Sequence, residues 1–140
     1  MPVHSMTTAE AAVRRFYEPL NTGDTTLIDE TLAPDWEVTP ALAAGPGAEG
    51  WKAAVEYLRQ VFTELTVTIE DAVVDGDTVA VRLAVRGVHA NEFFGVPGTG
   101  RQVEFQASDF HRVVDGRIRQ SWHLEDYFGL AAQIGLRFSL

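Results

Sequence analysis

The hydrophobic period of the sequence changes once, near Thr63, and this change constrains the fold more than any other feature. Before it, apolar residues recur every three or four positions, which is typical of amphipathic helices. After it, they alternate with polar residues, which is typical of half-buried strands. Helices followed by strands in a chain of 140 residues predict one α+β domain (1–140), with helices packed on one side of an antiparallel sheet.

Three helices are predicted in the first half of the chain. The first spans Thr7 to Leu20 and begins with a capping-box pattern. Asp24 is expected to cap a short second helix that ends before Pro34. A short strand is expected from Trp36 to Thr39, and the third helix from about Glu49 to Phe62. These helices would cover one face of the sheet.

The second half predicts four strands and a closing helix. Asp-Gly pairs at 75–76 and 115–116 are typical of hairpin turns. A glycine-rich loop at 91–100 carries Phe93 and Phe94, which we expect to be exposed. The expected elements are strands through Val67–Val73, Thr78–His89, Gln102–Val113 and Arg117–Glu125, and a helix around Tyr127–Ile134.

Polar residues interrupt the apolar faces of two neighbouring predicted strands. Asp109 and His111 continue the inward face that begins at Val103, and His89 has the same kind of position on the preceding strand. A buried carboxylate is costly unless it is paired or functional. Taken singly, each residue is more simply interpreted as a strand end or a satisfied core side chain. Their convergence on adjacent strands favours a functional site.

The orientation of His123 depends on the last hairpin. If Asp115–Gly116 is a two-residue turn, Asp109 lies opposite Trp122 and His123 faces away from it. If the loop has three residues, Asp109 lies opposite Ser121 and His123 is its diagonal neighbour. The apolar residues of the last strand favour the first arrangement. A shift of one residue reverses the answer.

Composition excludes several classes of function. A net charge of −9 opposes binding to phosphate backbones and anionic lipid, so neither nucleic acid nor a membrane is an expected partner. The absence of cysteine excludes disulfides and thiolate sites. No motif for a metal or a phosphate-binding loop is present, so no metal and no cofactor are expected. Residues 1–8 lack the features of a signal peptide and no segment is long and apolar enough to span a membrane, which predicts a cytoplasmic protein.

Several segments together resemble the SnoaL-like polyketide cyclases, a branch of the nuclear-transport-factor-2-like superfamily. The matching segments are Phe16-Tyr17, Asn21-Thr22-Gly23-Asp24, His89, Phe93-Phe94-Gly95-Val96-Pro97, Thr99-Gly100-Arg101, Asp109-Phe110-His111-Arg112, Asp115-Gly116-Arg117-Ile118, Trp122-His123, Glu125-Asp126-Tyr127 and Gln133-Ile134-Gly135. The resemblance covers nearly the whole chain, and it implies a cone: a curved antiparallel sheet with about three N-terminal helices around an apolar pocket.

The resemblance also implies a chemistry. Cyclases of this type close a ring of a polyketide by an intramolecular aldol step without metal or cofactor, with an Asp as base and a His near it. The family's catalytic Asp falls on His123 here, and its His partner falls on Asp109, so the two residue types are exchanged. This exchange favours an inward-facing His123, and therefore a three-residue loop or a bulge in the last hairpin.

The leading hypothesis is a cofactor-independent cyclase or isomerase acting on a hydrophobic, carbonyl-bearing small molecule. His123 is expected to be the general acid/base and Asp109 to orient it, although burial would also make Asp109 a competent base. The alternatives are a non-catalytic binding or assembly domain and an epoxide-opening enzyme. An apolar outer sheet face predicts a homodimer. The expected substrate-binding residues are Trp36, Trp51, His89, Phe105, Ala107, His111 and Ser121.

Overall fold

The computed structural model describes residues 5–137 and has four helices and five strands. The prediction that no leader is present concerns residues 1–8, of which 1–4 lie outside this range. The elements are α1 (Thr8–Thr22), α2 (Ile28–Thr31), β1 (Leu32–Thr39), α3 (Gly47–Val61), β2 (Phe62–Asp75), β3 (Thr78–His89), β4 (Gln102–Val114), β5 (Arg117–Glu125) and α4 (Tyr127–Gln133). The predicted change from helices to strands is confirmed.

The helices begin and end where the local chemistry allows. The Thr7 hydroxyl accepts a hydrogen bond from the Glu10 backbone N–H at 3.0 Å, as the capping box predicts.

The prediction for the second helix is wrong in extent. Asp24 accepts from Thr26 and does not cap α2, which is a single turn, and Pro34 lies inside β1. Proline is tolerated there because β1 is an edge strand that needs fewer backbone donors.

The sheet has the order β1-β5-β4-β3-β2 and is not wholly antiparallel. The strands β2 to β5 form antiparallel pairs, but β1 is parallel to β5. β1 is not part of the hairpins that connect β2 to β5. It comes from the helical half of the chain and pairs with the outer edge of β5. Helix α3 then carries the chain from β1 at one edge to β2 at the other and packs against both.

Bends in β2 help to curve the sheet around the helices. Its pairing with β3 shifts register between Thr63 and Thr66, and Glu64 there has a φ of 55°. The Asn21 side chain, at the end of α1, donates to the Val67 carbonyl at 3.0 Å and accepts from the Val67 N–H at 2.7 Å. This amide therefore fixes the end of α1 to the curved strand.

The hairpin of β4 and β5 settles the orientation of His123. Asp115 and Gly116 form a two-residue turn, so the three-residue loop is wrong. The register then shifts, because Val113 pairs with Ile118 but Arg112 pairs with Gln120, which leaves Arg119 as the extra residue of a bulge.

The bulge places Asp109 directly opposite His123, and not opposite Trp122 or Ser121 as the two simple registers predict. The expectation of a bulge is thus confirmed. His123 is on the inner side and Trp122 on the outer side of the sheet, since successive side chains alternate between faces.

The hydrophobic core lies between the concave face of the sheet and helices α1 and α3. The inward face predicted for β4 is confirmed, and its buried members are Val103, Phe105, Ala107, Asp109 and His111. Within residues 5–137, no helix has the length and hydropathy needed to cross a bilayer. The core is continuous except for a cavity that opens beside the polar end of this face.

Candidate active site

An apolar cavity of about 690 Å³ lies between the sheet, α3 and the segment after β1. Most of its wall is aliphatic or aromatic, including Trp51, Leu58 and a run of alanines at 41–44 and 53–54 that is broken by Leu42. A deeper pocket of about 70 Å³ shares Asp109, Glu125 and Tyr127 with it. The polar groups Asp109, His111, His123 and Glu125 all line the larger space, and a few polar groups in an apolar cavity are the arrangement expected of a small-molecule site.

Most of the predicted site residues meet at this cavity. Those that line the larger space are Trp36, Trp51, Asp109, His111, Ser121 and His123, and those that line the deeper one include Phe105, Ala107 and again Asp109. His89 is the exception and lines neither space. Its ring is fully buried at the far end of β3, where Nδ1 is 3.0 Å from the Thr99 hydroxyl. It holds the loop after β3 and does not reach the cavity.

The loop at 91–100 also differs from the prediction. Phe93 is buried, not exposed, and it contributes to the cavity wall beside Tyr57. Its ring packs on Phe62, with centroids 5.6 Å apart, and on Tyr127 at 6.0 Å. Phe94 remains 45% exposed, as predicted. The buried Phe93 ring therefore helps to anchor this loop in the domain.

Asp109 is the buried carboxylate of the site. It is 6% exposed, and its Oδ2 accepts a hydrogen bond from the Tyr17 hydroxyl at 2.5 Å. Oδ1 has no hydrogen-bond partner within residues 5–137. Burial raises the pKa of Asp109 to about 6, although the hydrogen bond from Tyr17, the charge of His123 and the backbone N–H of Leu124 oppose this shift. A carboxylate with this pKa and one uncommitted oxygen is suited to take up a proton near neutral pH.

A row of buried polar groups continues from Asp109. The Tyr17 hydroxyl is also 2.6 Å from His111 Nε2, and His111 Nδ1 is 2.7 Å from Ser121 Oγ. The Trp36 indole N–H donates to the same Ser121 oxygen at 2.9 Å. Burial lowers the pKa of His111 to about 3, so its ring is neutral at physiological pH.

His123 has the opposite electrostatic environment. Its Nδ1 is 2.6 Å from Glu125 Oε1, and its Nε2 is 2.7 Å from the Pro40 carbonyl oxygen. A carbonyl only accepts, so Nε2 carries a proton, and the carboxylate favours a second proton on Nδ1. The hydrogen bond that His123 donates to Glu125 raises the pKa of His123 to about 9. His123 is therefore an imidazolium at neutral pH.

Asp109 and His123 share the cavity without a hydrogen bond to each other. The carboxylate bonds to Tyr17, and the imidazole bonds to Glu125 and Pro40. Their interaction is electrostatic: the charge of His123 lowers the pKa of Asp109, and the charge of Asp109 raises that of His123.

Sequence reasoning missed three residues of the site. Tyr17 and Tyr127 belong to apolar helical positions, where a hydroxyl gives no periodic signal. Glu125 had a signal, because it lies two residues after His123 and therefore on the same face of β5. Burial also raises the pKa of Tyr127, so its phenol stays protonated. Within the described part of the chain, no set of three or more His, Asp or Glu side chains is arranged to hold a metal ion.

A curved sheet that closes with helices over one apolar cavity, with a single acid–base cluster inside, defines the nuclear-transport-factor-2-like class of α+β cone domains. The chain matches the SnoaL-like polyketide cyclase family over residues 11–134, and it belongs to that family. The family resemblance and the fold predicted from the sequence are thereby confirmed.

Relatives of known function share most of their length with this chain. It is 34% identical over 134 residues to aklanonic acid methyl ester cyclase DnrD of Streptomyces peucetius, covering 93% of this chain and 92% of the relative. It is 29% identical over 119 residues to nogalonic acid methyl ester cyclase of Streptomyces nogalater, covering 82% and 88%.

Solved structures give the same answer for the fold. TsrD of Streptomyces laurentii superposes with a TM-score of 0.86 at 27% identity, covering 96% of this chain and all 100% of that one. IdmH of Streptomyces antibioticus superposes with a TM-score of 0.80 at 34% identity, covering 92% of this chain and 99% of that one.

Proposed function

We propose that this protein closes a ring of a hydrophobic polyketide ester by an intramolecular aldol addition, with Asp109 as the base. The observation that carries the proposal is the Asp109 carboxylate, buried beside an apolar cavity with its Oδ1 uncommitted. The family and the relatives that are named methyl ester cyclases support the substrate class.

The proposed reaction needs only the groups of this cavity. Asp109 removes a proton from a carbon next to a substrate carbonyl, which gives an enolate. The enolate carbon attacks a ketone carbon of the same molecule, so a carbon–carbon bond forms and the ketone oxygen becomes an alkoxide. Asp109 then returns its proton to that oxygen. No atom is gained or lost, and the product is an isomer of the substrate.

His123 is assigned the role of a fixed positive charge. Its two ring nitrogens are held by Glu125 and Pro40, so it has no free lone pair with which to take a substrate proton. Its charge stabilises the enolate and the alkoxide as they form, because a preorganised cation near a developing anion lowers the barrier. This assignment reverses the leading hypothesis from the sequence, in which His123 was the base, and adopts its stated alternative.

The cavity wall supports a flat, apolar substrate. Trp36 and Trp51 line it, and the small alanine side chains at 41, 43, 44, 53 and 54 leave room in its wall. Trp51 is rigidly held, because it stacks on Phe16 with ring centroids 4.3 Å apart. A rigid aromatic wall favours polycyclic substrates over flexible chains, since little side-chain entropy is lost on binding.

The test is Asp109→Asn with aklanonic acid methyl ester as the first substrate, since relatives carry its name. We expect ring closure to slow at least about a hundredfold, the usual size of a general-base effect. In D₂O the wild type should exchange the acidic substrate proton for deuterium, and the variant should not. The Asn amide oxygen can still accept from Tyr17, so circular dichroism should show an unchanged fold. Exchange and turnover at wild-type rates would contradict the proposal.

We also propose that the protein is a homodimer through the outer face of the sheet. An apolar row crosses four strands there in register, and its members are Val73, Ala80, Phe110 and Trp122. Val73 is 65% and Phe110 53% exposed. A second copy of the chain suits this row, because a two-fold axis would lay it against itself.

Light scattering on the wild type and Phe110→Lys tests the dimer. A dimer that becomes a monomer in the variant is expected, and a monomeric wild type would overturn it. The cytoplasmic location stays a prediction, which cell fractionation can test.

A further inference from the structure

The five polar groups from Trp36 to Asp109 form one unbranched hydrogen-bond chain. Its links are Trp36 to Ser121, Ser121 to His111, His111 to Tyr17 and Tyr17 to Asp109, at 2.9, 2.7, 2.6 and 2.5 Å. All five side chains are buried. Little of their surface is accessible, so each donor is expected to find its acceptor among these five groups.

The two ends of this chain fix its direction. An indole nitrogen only donates, so Trp36 gives its proton to Ser121 Oγ. An ionised carboxylate only accepts, so Tyr17 gives its proton to Asp109 Oδ2. Between them, a neutral His111 carries one ring proton. The proton order that satisfies every donor is Ser121 O–H to His111 Nδ1, and His111 Nε2–H to the Tyr17 oxygen.

The opposite direction leaves groups unsatisfied. If His111 carried its proton on Nδ1, Ser121 would accept from both Trp36 and His111, and its own hydroxyl proton would have no place in the chain. Tyr17 would then donate to His111 Nε2, and Oδ2 of Asp109 would need a proton of its own to bond to Tyr17. Leaving a buried donor unpaired is costly, so the first direction is favoured.

We propose that Trp36, Ser121, His111 and Tyr17 are positioning residues that keep Oδ2 of Asp109 an acceptor, so that Oδ1 is the oxygen that takes the substrate proton. The inference rests on the proposed function of Asp109 and assigns the proton to one of its two oxygens. The Tyr17 hydrogen bond orients the carboxylate through Oδ2 before substrate binds, and Oδ1 has no hydrogen-bond partner in residues 5–137.

Other titratable groups near Asp109 bear on any pH measurement. Tyr17 faces it from α1, His123 and Glu125 from β5, and Tyr127 from α4. Tyr17 bonds to the ionised form and lowers the pKa of Asp109, whereas Glu125 raises it. Tyr17 and Tyr127 both have a raised pKa and stay protonated. Of the five groups in the hydrogen-bond chain, only Asp109 is therefore expected to titrate between pH 5 and about 8.

The direct test is the tautomer of His111 in the whole protein without substrate. Nitrogen-15 shifts of labelled histidine distinguish a protonated from a bare ring nitrogen, and the His111 signals are assigned by their loss in His111→Gln. At pH 7 we expect a neutral ring with its proton on Nε2. A proton on Nδ1, or a doubly protonated ring, would overturn the inference, whatever the activity of the enzyme.

A matched pair of variants tests the effect on the reaction. Ser121→Ala removes the hydroxyl, so His111 can adopt either tautomer, whereas Ser121→Thr keeps the hydroxyl. In Ser121→Ala we expect mixed tautomers and a kcat about tenfold lower with KM little changed, as for one lost buried hydrogen bond. Ser121→Thr should restore both. An alanine variant with the wild-type tautomer and kcat would overturn the inference.

Tyr17→Phe provides the pH readout. It removes the Tyr17 hydrogen bond to Oδ2, which lowers the pKa of Asp109, so the acid limb of the kcat profile should move up by about one pH unit. An unmoved limb would contradict the role of Tyr17. If Asp109→Asn retained full activity while His111 showed the expected tautomer, the proposed function would be wrong. The inferred proton order of the hydrogen-bond chain would still hold, so the two failures are distinguishable.

Discussion

His111 and His123 face the same cavity from adjacent antiparallel strands, yet they hold opposite charge states. His111 has a pKa lowered to about 3, and His123 has one raised to about 9. The first is surrounded by neutral hydroxyls on Ser121 and Tyr17 and is 1% exposed. The second bonds to the Glu125 carboxylate at the edge of the cavity. Residue type alone therefore does not assign a role to a histidine; its partners do.

The two histidines also influence each other. After burial, the charge of His123 is the second cause that lowers the pKa of His111. One positive ring in a small cavity disfavours another, because desolvated like charges repel strongly. The cavity thus holds one cation, His123, and one neutral ring, His111, both lining the same space as Asp109. Asp109 is therefore the group of this cluster that exchanges a proton near neutral pH.

Neutralising His123 is the change that tests the comparison most severely. His123→Gln keeps a donor for the Pro40 carbonyl but removes the charge, and we expect kcat at pH 7 to fall about a hundredfold. Steady-state kinetics with the same methyl ester measures this. The matched variant is Glu125→Gln, which leaves the imidazole but removes the main cause of its raised pKa.

The pH dependence separates these two variants. In the wild type, kcat should fall on the alkaline side near pH 9 as His123 loses its proton. In Glu125→Gln this limb should move toward the ordinary histidine value of 6.5, so that the variant is most impaired at high pH. An alkaline limb at the same pH in both proteins would show that the charge of His123 is not the group that titrates.

The comparison also shows how much of the site could be predicted from the sequence. The face of Asp109 and His111 followed from simple alternation, because β4 is regular along that stretch. The face of His123 did not, because the bulge at Arg119 inserts one residue and reverses every side chain beyond it. Periodicity cannot detect a bulge when the apolar residues on the outer side, such as Trp122, mimic an inner face.

The hydrogen-bond partner of Asp109 could not be predicted from local sequence patterns, for a different reason. Tyr17 reaches Asp109 from 92 residues away in the sequence, so only the packing of α1 on the sheet brings them together. His89 was the converse error. It shares the inward face of β3, but the strand extends past the cavity before it reaches His89, which packs near Phe62. The alternation of apolar and polar residues identifies which face of the sheet a side chain lies on. It does not show whether that side chain lies beside the cavity or beyond it.

Acid should destabilise the protein through His111. The unfolded chain takes up this proton near pH 6.5 and the folded protein only near pH 3, so below 6.5 the unfolded state binds more protons. Stability is therefore lost as the pH falls from 6.5 toward 3, by up to about 1.4 kcal/mol per pH unit from this group. Urea unfolding of the wild type and His111→Gln at pH 7 and 5 measures the effect. Parallel losses in both proteins would assign it to other groups.

Asp109 should act in the reverse direction and with the smallest effect. Its pKa is about 6 when folded and 3.8 ordinarily, so the stability that its protonated form contributes is present below 3.8 and lost as the pH rises through 6. At pH 7 the buried ionised carboxylate therefore destabilises the folded protein. Asp109→Asn should raise the free energy of unfolding by about 1–2 kcal/mol. At pH 4 the gain should disappear, which urea unfolding of both proteins can show. A variant that loses activity and gains stability at neutral pH only would mean that the protein retains an unfavourable buried charge for its chemistry. A gain that persists at pH 4 would point instead to better packing of the amide.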